Sequence, residues 1–327
     1  MSKLYQRLAF LILLVAIISG TVIYFTVDIH TLSSLNFFKP WALLLVLICL
    51  AVGMFFDGSR LMHLVRISGE SINFMQAVQV VFGNYFLALL TPGAAGGAFA
   101  QVMFLRHAGV PIGKATVLVI VRTLLSIFFL VLCMPVVFMA ESDHLPWVSP
   151  EMLLSISAGM FILAGVTLWL IRTNLLIVFL RPLLKNASHS IRRKVFALYK
   201  DVRGGVILLS SAPLSMIRVF GESALSLLAL YSMVPVLFLG LGVPVDLGHV
   251  MGRMIFLNFL LYFAPTPGGS GIAEGTFVLL FASDLPSGTV GILAVAWRAF
   301  AEYLPFIVGM YFTIRTFGQD FLAHHIK

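Results

Sequence analysis

A chain of 327 residues with 60% hydrophobic and only 10% charged side chains belongs in a membrane, because soluble domains carry about a quarter charged residues. No polar block is long enough to form a separate catalytic head. The net charge of +8 comes from short basic loops, which fix membrane orientation, and no interleaving of aromatic and basic residues suggests nucleic-acid binding.

In chain order, the first apolar run, 8–27, follows Lys3 and Arg7. It is near the length needed to cross a bilayer and too long for a cleaved leader, so it predicts an uncleaved first span. A second span covers about 41–57 and ends at Asp57 and Arg60. A broken pair follows, 74–90 and 98–105, interrupted at Thr91–Gly97. Further spans are predicted over 115–139 and 152–171. A basic linker, 172–205, leads to a span at 214–239. A second broken pair, 250–264 and 272–283, is interrupted at Pro265–Gly271, and a last span covers 288–313.

The two broken pairs are similar. The first reads Asn84-YFLALL-Thr91-Pro-Gly93-AA-Gly96-Gly97; the second reads Asn258-FLLYFAP-Thr266-Pro-Gly268-Gly269-Ser-Gly271. Proline removes a backbone donor and clashes with the preceding turn, so neither segment is predicted as continuous helix. About 30 residues beyond each Thr-Pro-Gly an arginine stands inside an apolar run, Arg122 and Arg298. Interrupted hydrophobic segments at corresponding places in two halves point to a transport site near mid-bilayer.

Loop charge decides how the pairs are read. If each enters and leaves on one side, almost all Lys and Arg outside the apolar runs fall in the cytoplasm, with both termini, and only Lys39 falls outside. The predicted fold is therefore all-α and polytopic, a single transmembrane domain over 1–327. It has about six full spans plus two re-entrant hairpins. The first half covers about 41–140 with its hairpin at 74–106, and the second about 213–315 with its hairpin at 250–284. The halves are expected to be related by inverted topology, and the expected location is a bacterial cytoplasmic (inner) membrane.

Candidate site residues follow. The start of a returning half-helix offers free N–H groups and partial positive charge. Beside it, an arginine supplies a fork suited to phosphate. Arg122, Arg298, Asn84, Asn258, Thr91, Gly93, Gly96, Gly97, Thr266, Gly268, Gly269 and Gly271 are the candidate substrate-binding set. Arg218 and Glu222, like Arg298 and Glu302, sit four apart and share a helix face. With Glu274 they form the candidate charge-coupling or headgroup set. Arg122 has Ser126 at the fourth position instead of an acid, so its partner is expected to be Glu274 or an anionic ligand. Arg253, early in its run, is expected to snorkel outward. Within 186–203, apolar residues share one face and Arg192, Arg193, Lys194, Lys200 and Arg203 lie elsewhere, the pattern of a helix on an anionic leaflet.

No catalytic, metal or cofactor site is predicted. The eight histidines are read as lying in loops or at span ends, Cys49 and Cys133 have no CxxC neighbour, and no phosphate-binding G-x-x-x-x-G-K motif occurs.

PG-x-x-GG, an arginine in the next span, PTPGGSGIAEG and a further span with arginine together resemble the transmembrane flippase region of lysylphosphatidylglycerol synthases, over about residues 5–318. Pro265 to Glu274 is the most specific part. The resemblance implies translocation of a phosphate-bearing or aminoacylated lipid without synthesis, with membrane lipids as partners; oligomers are compatible with it. Ala98 stands where family members often carry an acid. The alternatives are a membrane-embedded lipid-modifying enzyme and an accessory subunit of an envelope-lipid pathway.

Overall fold

The computed structural model describes residues 38–140, 188–210, 212–286 and 288–323, with scattered positions between 151 and 185. The predicted spans at 8–27 and, for the most part, 152–171 lie outside the described residues. Among the described residues all regular structure is helical. Four helical stretches are long and apolar enough to cross a bilayer: Pro40–Ile67, Ile112–Pro135, Pro213–Gly240 and Thr289–Phe317. The protein is a multi-pass membrane protein.

Helix α1 spans Pro40–Ile67 and opens with proline, whose missing N–H is no loss at that position. It does not stop at Asp57 and Arg60 as the sequence suggests. Both side chains are buried, bonded to each other and to other helices, so the helix continues ten residues further. Helix α2, Phe74–Leu90, starts at a reciprocal cap. The Asn73 side chain accepts from the Gln76 N–H at 2.8 Å and the Gln76 side chain from the Asn73 N–H at 2.9 Å. It ends where Thr91, forced extended before Pro92, has φ −123° and ψ 142°. Helix α3, Ala95–His107, returns, and α4 covers Ile112–Ala140.

The basic helix α5, His189–Ser210, buries Tyr199 and exposes Arg192, Arg193 and Lys200. Helices α6, Pro213–Tyr231, and α7, Met233–Gly240, meet at a single residue, Ser232. Helix α8, Leu247–Leu261, is capped by Asp246, which accepts from the N–H groups of Gly248 and His249 at 2.9 and 3.2 Å. After the second break come α9, Ile272–Phe281, and α10, Thr289–Arg298. A π-helical turn at Ala299–Tyr303 then leads into α11, Leu304–Ala323. The turn sits just before Pro305, which cannot donate to the ladder; such turns recur at functional sites.

Packing interleaves the two halves. Helix α1 lies along α6, where the Ser226 hydroxyl donates to the Gly53 carbonyl at 2.8 Å. Helix α4 lies on α8, and α11 lies on α2, with Phe86 and Phe306 rings 5.2 Å apart. At that crossing a side chain on Gly309 would overlap the Phe82 carbonyl. Large apolar side chains such as Leu44, Ile48, Phe55 and Ile314 point outward, as suits a lipid-facing surface.

Candidate functional site

The site grows from the two breaks. In the first, the Thr91 hydroxyl donates to the Leu87 carbonyl at 2.8 Å and accepts from the Gly96 N–H at 2.7 Å. One polar side chain thus closes the end of α2 onto the start of α3. Gly93 and Ala94 take positive φ, 61° and 53°. Gly97 backs directly onto Asn84. In the second break, the Thr266 and Pro267 carbonyls accept from the Gly269 and Ser270 N–H groups, each at 3.0 Å. Glu274 turns back so that its Oε2 accepts from the Gly271 N–H at 2.8 Å. The predicted anion site at this helix start is thus partly filled by the protein's own carboxylate.

The breaks touch. Pro92 and Pro267 form an isolated antiparallel bridge, and Gly268, at φ +57°, lies so close to Leu89 that a β-carbon would overlap it. Two irregular segments far apart in sequence therefore form one junction, exposed along Pro92–Ala95 and buried at Gly269 and Ser270.

A buried arginine serves each break. Arg122 on α4 grips Asp57 on α1 through Nε (3.3 Å) and Nη2, and its Nη1 donates to Gln101 on α3. Gln101 in turn donates to Asn84 Oδ1 at 2.7 Å. Arg60 adds a second guanidinium on Asp57 and reaches Ser126 at 2.9 Å. Asp57, Arg60 and Arg122 are each about 95% buried. This network holds two arginines against one carboxylate.

Arg298, only 1% exposed, donates through Nε to Glu274 at 3.1 Å and through Nη2 to the Gly268 carbonyl at 3.0 Å. Its Nη1 lies 3.7 Å from Glu302, across the π turn. Here one arginine faces two carboxylates. In both halves, then, the arginine of the following span binds the returning half-helix, through Gln101 in one case and Glu274 in the other.

Several sequence expectations change. The partner of Arg122 is Asp57, not Glu274, which pairs with Arg298. Asn258 does not mirror Asn84; its amide turns back to the Met254 carbonyl of its own helix at 2.8 Å. Arg253 does not snorkel; it is 7% exposed and binds Asp284 at 2.7 Å. His63 lies within α1 rather than at its end, with Nδ1 2.9 Å from Glu222. Arg218 and Glu222 do pair, at 3.3 Å, and Ser59 also donates to Glu222 at 3.1 Å. Asp57, Arg60, Gln101 and Ser270 were not among the sequence candidates. The i, i+3 spacing of Asp57 and Arg60 was a usable signal for a buried pair.

Between α1 and α2 runs an apolar groove of about 570 Å³, lined by residues including Val52, Phe55, Phe74, Val78 and Phe82. Its Met54 and Val81 walls lie three residues before Asp57 and Asn84 of the first network. Among the described residues no group of His, Cys, Asp and Glu is arranged to hold a metal.

The family described as lysylphosphatidylglycerol synthase TM region matches residues 8–309. A UPF0104 membrane protein of Archaeoglobus fulgidus is 24% identical over 285 residues, covering 79% of this chain and 81% of that protein.

Proposed function

Because this chain belongs to the lysylphosphatidylglycerol synthase TM region family, we propose that it is a lipid translocase of a cytoplasmic membrane. It moves a phosphate-bearing or aminoacylated lipid rather than making one. The observation that carries this reading is the junction itself. Two interrupted helix pairs abut at Pro92 and Pro267, each tied by a buried arginine to its returning half. Irregular backbone survives at membrane depth only when it is buried in protein or lines a polar cavity.

In this reading each pair is a re-entrant hairpin. The first opens to the cytoplasm with Arg66, Arg106 and Lys114 around its base, and the second opens to the opposite face near Asp246 and Asp284. Both termini are cytoplasmic. The Asp57–Arg60–Arg122 network, with its surplus guanidinium, attracts the lipid phosphate. The Arg298–Glu274–Glu302 network takes the remainder of the headgroup. Acyl chains stay in the hydrocarbon, with the groove between α1 and α2 as a track. Shielding the headgroup in this way removes part of the several kcal/mol that a charge costs in hydrocarbon.

The test is fluorescent phosphatidylglycerol in proteoliposomes, with dithionite bleaching of the outer leaflet. Wild-type protein speeds exchange between leaflets. Arg122→Gln and Arg298→Gln insert normally and lower that rate by at least about tenfold. Exchange no faster than in empty vesicles, tested across anionic and aminoacylated lipids, overturns the reading.

A further inference from the structure

The two breaks match in sequence but not in hydrogen bonding. In the first, Thr91 Oγ1 both donates and accepts. Ala95 has no polar group, and Arg122 is bonded through Nε, Nη1 and Nη2. Their counterparts in the second break are Thr266, Ser270 and Arg298. There, Thr266 Oγ1 and Ser270 Oγ are buried without a hydrogen-bond partner, and buried Arg298 Nη1 has no hydrogen bond, only its 3.7 Å ion pair with Glu302. Among the described residues only Arg203 Nε shares that condition. Ser270 and Arg298 are 3% and 1% exposed. The three residues meet at one turn: Thr266–Ser270 is a single tight turn, and the Arg298 guanidinium is bonded through Nη2 to the Gly268 carbonyl within it.

Buried polar groups are almost always satisfied, and unsatisfied ones in a cluster call for an occupant. The chemistry of the cluster selects among occupants. Phosphate would accept from all three groups, but it would add negative charge where Glu274 and Glu302 already outnumber Arg298. An ammonium would suit the carboxylates and hydroxyls, but it offers no acceptor to Arg298 Nη1. A neutral hydroxyl donates and accepts, and so satisfies threonine, serine and guanidinium together without charge.

We propose that the second break, at Thr266, Ser270 and Arg298, is a binding site for a neutral hydroxyl-bearing group, the glycerol or sugar part of a headgroup or the corresponding free polyol. For a lipid source this rests on the translocase reading and names the headgroup class that it moves.

The experiment is native mass spectrometry of the full chain in nanodiscs holding equal amounts of phosphatidylglycerol, glucosyl diacylglycerol, phosphatidylethanolamine and phosphatidic acid with matched acyl chains. Wild-type protein retains one of the two hydroxyl-bearing lipids in preference to the other two. Ser270→Ala and Thr266→Val, which remove one hydroxyl each, lower that preference by roughly tenfold. Free glycerol or glucose that displaces the lipid and binds alone identifies the polyol as the ligand; lipid retained against a large excess of polyol identifies the headgroup.

Preferred retention of phosphatidic acid or phosphatidylethanolamine overturns the proposal, as does unchanged lipid preference in both variants. Variants that gain thermal stability with unaltered lipid binding indicate a buried water alone and also overturn it. Wild-type preference lost in the variants, in a protein that moves no lipid between leaflets, leaves this site standing and sinks the translocase reading instead.

Discussion

At the scale of single residues, Asp57 organises the first network. Its carboxylate faces the guanidinium groups of Arg60 and Arg122, and all three are buried. Breaking a buried pair strands a charge, at a cost of about 3–5 kcal/mol. Asp57→Asn is therefore expected to lower unfolding free energy in detergent by that order. The double variant Asp57→Asn, Arg122→Gln is expected to lose less than the sum of its parts by about 1–3 kcal/mol. Denaturant titration of the purified variants measures both. Additive losses would mean that the pair is not coupled. The i, i+4 pairs Arg218–Glu222 and Arg298–Glu302 were legible in the sequence because helical spacing alone places them. Asp57–Arg122 was not, because 65 residues separate them. An acid and a base ending an apolar run read as the water boundary, and only packing against α4 shows them to be inside.

At the scale of elements, the breaks were legible and the limits of the helices less so. Proline and clustered glycines interrupt helix by local chemistry, which the sequence contains in full. The return of α3 begins at Ala95, earlier than the apolar run at 98, because Ala94 adopts a left-handed conformation that hydropathy does not report. That the two breaks touch is a tertiary fact with no local signature. Gly268 tests it. Its φ of +57° and its contact with Leu89 both disfavour a side chain, so Gly268→Ala is expected to cost about 1–3 kcal/mol and to separate the Pro92 and Pro267 segments. Gly275→Ala, on α9 with open space around its β-position, is expected to be near neutral or stabilising. Equal stability of the two variants would show that the junction is loose.

At the scale of the whole molecule, the halves are interleaved rather than merely adjacent. Helix α1 packs on α6, α4 on α8 and α11 on α2, so each half supplies walls for the other. The repeat was visible in the sequence through Asn-Thr-Pro-Gly and the following arginine. Its divergence was visible only in part: Ala98 and Glu274 already marked the halves as unequal in charge. The opposite balance of the two networks depends on Asp57 and Glu302 reaching them in space. The central claim is that two hairpins dip from opposite faces and meet within the membrane. Single cysteines at Ser71 and His107, at the two ends of the first pair, and at Val245 and Ser283, at the two ends of the second, test it in a Cys49→Ala, Cys133→Ala background. Labelling of intact, right-side-out vesicles with a membrane-impermeant thiol reagent should modify Val245→Cys and Ser283→Cys and spare Ser71→Cys and His107→Cys until the membrane is opened; labelling of the two ends of either pair from opposite faces would contradict the account.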